Sequence, residues 1–477
     1  MTHTTLGASH RPHRDQRSDP RRWAALTVLC LAQFMLILDV TVVNVALPDI
    51  GADLHLGRSA LTWVVTAYTL AFGGLMLFGG RLADALGARR TFVAGLALFT
   101  GASLAAGLAG GPGTLLTARV AQGVGAALLS PAALSLVTSA FEEESERRRA
   151  LGVWAGIGGS GSAAGVLLGG LLTSGPGWNW IFYVNVPVGL LVLALVPSLV
   201  AARPPRPARL DLPGAVLVTG GTAALIKGLV TAGDQGWASP ETLVPLGLAA
   251  VLYAAFAVTE RTVRAPLIDV RLFGRRPVVA GAFLILVATG LLVGMFFLTS
   301  VDLQHDRGYS ALGTGLAFLP VAVATVVGAH LAGRLLGTVG ARTLAAVAMG
   351  VTAAGLVPAA RMDAGSGVWS TLVPALCVAA FGIGAVFVTA FTTALALVPA
   401  DVSGLASGAL NTFHEVGGSI GVAVVSTVAA SGIERGVPGS FAHAYAVCAG
   451  AAAAAALVAL VLVPRGKPQM AGGPHGH

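Results

Sequence analysis

Asp39 stands in a run of Leu, Val and Ile residues that carries only Thr41 and Asn44 as other polar groups between Leu36 and Val45. At the centre of a membrane span an ionised carboxylate costs about 2.5–3.5 kcal/mol on insertion scales, so this one should face the interior of a helix bundle or a wet cavity. There it has the chemistry to take up and return a proton. Arg119 enters a second apolar run about six residues after Gly113, with Gln122 one helical turn later on the same face. A guanidinium keeps its proton, so inside a span it needs a carboxylate, backbone carbonyls or a route to the surface. Its early place in that run suggests a shallow, outer position. The third constellation is Asn411-Thr412-Phe413-His414-Glu415-Val416-Gly417-Gly418, in which Asn411, His414 and Glu415 share one helical face. Two adjacent titratable groups can form a second proton or cation site. A neutral, hydrogen-bonded pair that only orders helix packing is the competing reading.

The elements that must position these groups are membrane helices. Of the 477 residues, 55% are hydrophobic and 10% charged, whereas a soluble domain carries about 25% charged residues. A span needs about 20 mostly apolar residues, and on that ruler the chain offers fourteen candidates, the first beginning near Ala24 and the last near Phe441. A membrane barrel would instead alternate polar and apolar residues over short strands. The formal net charge of +8 would suggest nucleic acid in a soluble chain, but the charges follow the positive-inside rule. With the N-terminus inside, 23 of the 29 Lys and Arg residues fall in loops on one side and four (Arg58, Arg307, Arg361, Arg435) on the other. Both termini are therefore expected in the cytoplasm, in a multi-pass protein of the inner membrane, with no nucleic-acid partner. Cys30, Cys377 and Cys448 all lie in apolar runs and suggest no disulfide framework.

A basic turn occurs twice. Gly80-Arg81-Leu82-Ala83-Asp84 followed by Gly87-Ala88-Arg89-Arg90 returns as Gly333-Arg334-Leu335 followed by Gly340-Ala341-Arg342, each time between long apolar segments. The repeat pairs spans 1–6 with spans 9–14 and leaves spans 7 and 8 as an insert. The expected organisation is a polar N-terminus over 1–22, a six-helix half over 23–202, linkers and the inserted pair over 203–276, a second six-helix half over 277–463, and a polar tail over 464–477. Asp84, set between two helix ends, can accept from N-terminal amides or pair with Arg89, so Gly80, Asp84, Gly87, Arg89 and Arg90 form a candidate conformational latch. A plain positive-inside anchor is the alternative. The second copy has Gly337 where Asp84 should recur. Gly156, Gly161, Gly165 and Gly169 repeat small residues at near-helical spacing in the fifth span, a pattern that lets helix backbones approach closely.

Four stretches, in order, resemble the major facilitator superfamily, and within it the fourteen-helix drug:proton antiporter branch. They are Leu38-Asp39-Val40-Thr41-Val42-Val43-Asn44-Val45-Ala46-Leu47-Pro48, the turn from Gly80 to Arg90, Arg119-Val120-Ala121-Gln122-Gly123-Val124-Gly125, and Trp178-Asn179-Trp180-Ile181-Phe182-Tyr183-Val184-Asn185-Val186-Pro187-Val188-Gly189. The resemblance covers the chain from about Trp23 to Pro464. It implies an all-α membrane fold of two six-helix halves plus an inserted pair, a substrate site near the midplane between the halves, and alternating access. It also implies that Asp39 is linked to proton coupling and that Arg119 assists. Asn44, Gln122 and Asn411 are the polar candidates for a substrate cavity. Relatives carry Arg-Gln where this chain has His414-Glu415, and a Gly-Pro pair where it has Gly165-Val166.

The function this implies is export of hydrophobic small molecules, such as drugs or antibiotics, in exchange for protons. No cofactor or metal is expected beyond the proton gradient, and the carrier is expected to work as a monomer in the bilayer. A proton symporter for a metabolite and a non-transporting membrane sensor are the competing readings. An enzyme is not expected, since no metal cluster, nucleophile constellation or phosphate loop has the required spacing. Among minor features, Lys227 should snorkel and His330 should be a packed polar residue. Asp302, His305 and Asp306 should form a solvated outer loop, with Trp178, Trp180 and Tyr183 in an interfacial aromatic belt.

Overall fold

The computed structural model describes residues 20–141, 143–200, 211–263, 275–363, 366–395, 403–430 and 440–465. The polar stretches at both ends and the linker residues 201–210 and 264–274, including Arg203–Pro207, lie outside the described residues, as do the surroundings of the Gly152, Gly156 and Arg147 to Arg149 side chains.

Every regular element among the described residues is helical. The long helices are α1 (Pro20–Asp53), α2 (Arg58–Leu86), α3 (Ala88–Gly107), α4 (Pro112–Ala140), α5 (Glu144–Ser174), α6 (Trp180–Leu199, interrupted at Val184), α7 (Leu212–Gln235) and α8 (Pro240–Thr262). They continue as α9 (Arg276–Val301), α10 (Ala311–Val339), α11 (Ala341–Ala360), α12 (Val373–Leu395), α13 (Ser403–Val428) and α14 (Ser440–Leu462). Local chemistry starts several of them. Asp211 accepts from the Gly214 amide at the head of α7, Ser239 from Thr242 at α8 and Ser310 from Gly313 at α10, each satisfying a donor that the first turn leaves open. Proline opens α4, α7, α8 and α9, where its missing N–H costs nothing.

Among the described residues, twelve helices are long and apolar enough to cross a membrane. The other two long helices are α5 and α13. The first turns of α5 carry Glu144, Glu146 and Arg147 to Arg149, ahead of an uncharged run from Ala150 to Ser174, of which Ala164–Ser174 is the continuously described part, and α13 holds Asn411, His414 and Glu415 among glycines and serines. Both sit at the contact between the halves, where a helix is shielded from lipid and can carry polar residues. Elsewhere, Val216, Val244, Val251 and Val461 are 65–70% exposed. Such large apolar groups facing outward require hydrocarbon rather than water around them.

The helix contacts repeat. In the first half α1 packs on α5 and α6, α4 on α2 and α3, and α3 on α6; in the second, α9 packs on α13 and α14, α12 on α10 and α11, and α11 on α14. The same scheme is thus shifted by eight helices. The two halves meet through the equivalent pairs α2 with α13 and α5 with α10. The inserted α7 and α8 pack on each other, and α7 also lies along the seam between α2 and α13, where Leu229 accepts from Thr427 at 3.0 Å. The duplicated turn has a backbone reason. Gly87 joins α2 to α3 and Gly340 joins α10 to α11 as single-residue links with φ of 94° and 86°, a region that L side chains rarely enter.

Hydrogen bonds that join the halves include Thr62 to Ser426 (3.0 Å), Thr69 with Ser419, Gln304 to the Val45 carbonyl (2.7 Å) and the Leu312 amide to Ser174 (2.9 Å). These lie toward the end remote from the two duplicated turns. There a Cβ on Gly170 would fall 2.7 Å from Leu312, and one on Gly315 would fall 2.7 Å from the Val166 carbonyl, so α5 and α10 touch backbone to backbone. At the same end the buried core of the second half also takes in Leu38 to Ile50 of α1, whereas the first half toward the duplicated turns has a separate core of its own.

Asp302, the aromatic trio and His330 sit otherwise than their sequence contexts suggest. Asp302 is not in a solvated loop: it is 5% exposed in a π-helical continuation of α9, paired with Arg307 at 3.2 Å, and Arg307 also reaches the Ser366 carbonyl. Trp178 is buried and donates to Asp53, and the Tyr183 hydroxyl donates to the Gly107 carbonyl, so only Trp180 of that trio has the exposure of a belt residue. His330 is exposed rather than packed.

Candidate functional site

The Asp39 site is a closed polar network in the middle of the first half. α1 brings Asp39, α4 brings Arg119 and Gln122, α3 brings Ser103, and α6 brings Asn185 just after its interruption. Arg119 Nη1 lies 2.6 Å from Asp39 Oδ2, with both side chains 1% exposed. Asp39 Oδ1 accepts from Gln122 Nε2 at 3.1 Å and from Asn185 Nδ2 at 3.0 Å. Gln122 Oε1 in turn accepts from Arg119 at 3.0 Å, and its amide also donates to Ser103 at 2.9 Å. Arg119 Nε donates to the Val64 carbonyl of α2 at 2.9 Å, and its guanidinium lies 4.4 Å above the Tyr68 ring. One carboxylate therefore meets three side-chain donors, one of them cationic. A buried ion pair is tolerated only when such additional hydrogen bonds satisfy it.

The positions of these residues depend on glycine. A Cβ on Gly165 would collide with Thr41, and those on Gly161 and Gly169 would fall 3.0 Å from Ile37 and 3.1 Å from Val42, so α5 presses along α1 beside Asp39. Gly123 lets α4 approach the Tyr68 carbonyl to 2.5 Å of where a Cβ would stand. Gly107 and Gly189 accept Tyr183 and Thr100 where a side chain would clash, which seats α6 and Asn185. Arg119 is accordingly enclosed by protein, 1% exposed. Asn185, Ser103 and Tyr68 were not singled out from the sequence. Asn185 follows the aromatic stretch entering α6, and a buried amide there was the available signal.

The proposed cavity residues divide. Gln122 is enclosed in the Asp39 network. Asn44 is 3% exposed, donates to the Val40 carbonyl at 2.8 Å and leaves Oδ1 buried without a partner among the described residues. Asn411, His414 and Glu415 are half-buried on α13. His414 Nδ1 lies 2.8 Å from the Thr289 hydroxyl and its ring 5.5 Å from that of Phe387. Glu415 sits at the seam between halves, where a Cβ on Gly73 of α2 would collide with its own Cβ. The latch residues are more open. Asp84 is exposed, and Arg89 donates to the Pro197 carbonyl of α6 at 3.3 Å. The second-copy positions Gly333 and Gly337 have no neighbour within Cβ reach. No metal-ligand cluster occurs among the described residues.

Tyr68→Phe keeps the ring and removes a hydroxyl that has no partner among the described residues. It is expected to leave stability within about 0.5 kcal/mol. Tyr68→Leu removes the face beneath Arg119 and is expected to cost about 2 kcal/mol. Thermal unfolding of the two purified variants checks the pair.

A repeated six-helix bundle with a charged network inside one half and titratable groups at the seam is the architecture of a membrane carrier. The chain belongs to the major facilitator superfamily, whose family model matches residues 29–422. It is 41% identical over 420 residues to the puromycin resistance protein pur8 of Streptomyces alboniger, covering 87% of this chain and 83% of that one. It is 39% identical to the cephamycin export protein CmcT of Amycolatopsis lactamdurans, covering 88% and 87%. Identity to the tetracenomycin C resistance and export protein of Streptomyces glaucescens is 34%, covering 92% and 81%. Among solved structures it superposes on a peptide transporter POT in complex with sulfate, with a TM-score of 0.64, 18% identity and coverage of 94% and 96%, a likeness of fold alone. The chain is a multi-pass membrane transporter.

Proposed function

We propose that this transporter exports hydrophobic small molecules, antibiotics among them, from the cytoplasm in exchange for entering protons. The names of its resistance and export relatives support the substrate class. The observation that carries proton coupling is Asp39, a carboxylate buried in a network of donors that converge on its charge. Protonation removes the charge that Arg119, Gln122 and Asn185 converge on, and so loosens α1 from α4 and α6. The charge distribution supports a cytoplasmic position for the duplicated turns, and on that orientation the contacts at the opposite end belong to a carrier closed to the outside. Substrate enters between the halves from the cytoplasm, beside Asn411 and Glu415. The few acidic groups there suit neutral or singly cationic compounds. Outward opening separates α5 from α10 and gives Asp39 access to external protons, whose binding favours release. Each proton crossing 100 mV supplies about 2.3 kcal/mol, enough for a ten-fold gradient of a neutral substrate at about 1.4 kcal/mol. The carrier acts as a monomer in the cytoplasmic membrane, with both termini inside and no cofactor.

The test is proton release from acid-loaded everted vesicles on adding lipophilic drugs. A drug-induced signal in the parent protein that Asp39→Asn abolishes, at equal folded protein in the membrane, is expected. A signal that survives the substitution would remove Asp39 from the coupling step, and no signal with any compound would favour a symporter or sensor.

A further inference from the structure

At the end of the second half that carries the duplicated turn, a cavity of about 520 Å³ is lined by Arg276, Arg342, Arg465, Leu460, Val461 and Pro464. Three elements that are distant in sequence build it: the first turns of α9 and α11 and the last turn of α14. Arg276 donates from Nε to the Leu462 carbonyl at 3.1 Å and from Nη2 to that of Val461, and Arg342 Nε donates to the Val463 carbonyl at 2.7 Å. These bonds cap the C-terminus of α14 and fix two guanidinium groups. Each guanidinium has five donors, so most of theirs remain for a ligand. Arg465, exposed beyond the end of α14, makes no hydrogen bond to a described residue.

The lining contains no acid, and Arg342 feels the repulsion of both Arg276 and Arg465. Three like charges held together call for an anion, and the positive ends of the α9 and α11 dipoles add to the same field. The remaining wall is apolar: Leu460 is 48% and Val461 70% exposed on the outer surface of α14. A free anion has no use for that wall, whereas an amphiphile with a phosphate beside hydrocarbon chains matches both parts. We propose that the cavity holds the phosphate of an anionic membrane phospholipid between Arg276, Arg342 and Arg465, with its acyl chains along Leu460 and Val461. This site is separate from the Asp39 network and does not depend on the transport reading.

The test is native mass spectrometry of the full chain with phosphatidylglycerol or phosphatidylcholine, beside thermal unfolding in each lipid and in inorganic phosphate. Phosphatidylglycerol is expected to be retained about tenfold more than phosphatidylcholine and to raise the unfolding temperature. Arg465→Gln, which leaves the caps on α14 intact, should remove most of that preference, and Arg276→Gln with Arg342→Gln should abolish it. Equal retention of the two lipids, or an Arg465→Gln protein with the parent's preference, overturns the proposal. An equal stabilisation by inorganic phosphate overturns the lipid assignment and makes the site one for the free anion.

Discussion

Arg119→Met is expected to destabilise the protein by about 3–5 kcal/mol, because it leaves the Asp39 carboxylate buried without its cation. Asp39 and Arg119 are each 1% exposed, so neither can recover hydration in the folded state. Gln122 and Asn185 would still donate to Asp39 Oδ1, but the Oδ2 partner and the stack on Tyr68 are lost. Combining Arg119→Met with Asp39→Leu should recover most of that loss, since replacing both members of a buried pair by apolar groups is often neutral. Drug-induced proton exchange should not return in the double variant. Unfolding measured in detergent, with the two singles and the double as a cycle, separates the structural role of the pair from its role in transport. Recovery of transport in the double variant would show that the pair serves packing alone.

Glu415→Gln is the second large effect. If Glu415 carries a proton in addition to Asp39, its removal withdraws about 2.3 kcal/mol of driving energy per 100 mV, or roughly 40-fold in the attainable drug gradient. Glu415 is half-buried at the seam of α2 and α13, so exchanging its carboxylate for an amide is compatible with the fold. Drug accumulation in everted vesicles at fixed membrane potential, followed across pH, measures the effect. An unchanged gradient and an unchanged pH profile would reduce Glu415 and His414 to packing residues, the His414 contact with Thr289 being sufficient for that role.

The amino-acid sequence by itself determined the solvent of this protein and its helical grammar. Hydropathy and charge are local properties, so apolar runs, the basic loops on one side and the duplicated glycine turn could all be read without coordinates. Gly87 and Gly340 are the clearest case, since a basic Gly-Ala-Arg turn between apolar runs requires the positive φ that both adopt. The isolated charges Asp39 and Arg119 were equally legible, because in an apolar run a single charge has no local explanation. What surrounds them was not. The partners of Asp39 lie 80, 83 and 146 residues away, on α4 and α6. Which donor reaches which oxygen depends on how closely Gly123, Gly165 and Gly189 let the backbones approach. The same holds for Glu415 against Gly73, and for Arg276, Arg342 and Arg465, which look like separate positive-inside anchors until three helix ends converge. Asp302 looked solvated although its partner Arg307 is only five residues on, because the contact that helps to enclose the pair, Arg307 with the Ser366 carbonyl, comes from 59 residues away. Burial and charge type follow from short-range sequence, whereas the identity of a partner is fixed by close packing between helices remote in the chain, and only the tertiary structure supplies that.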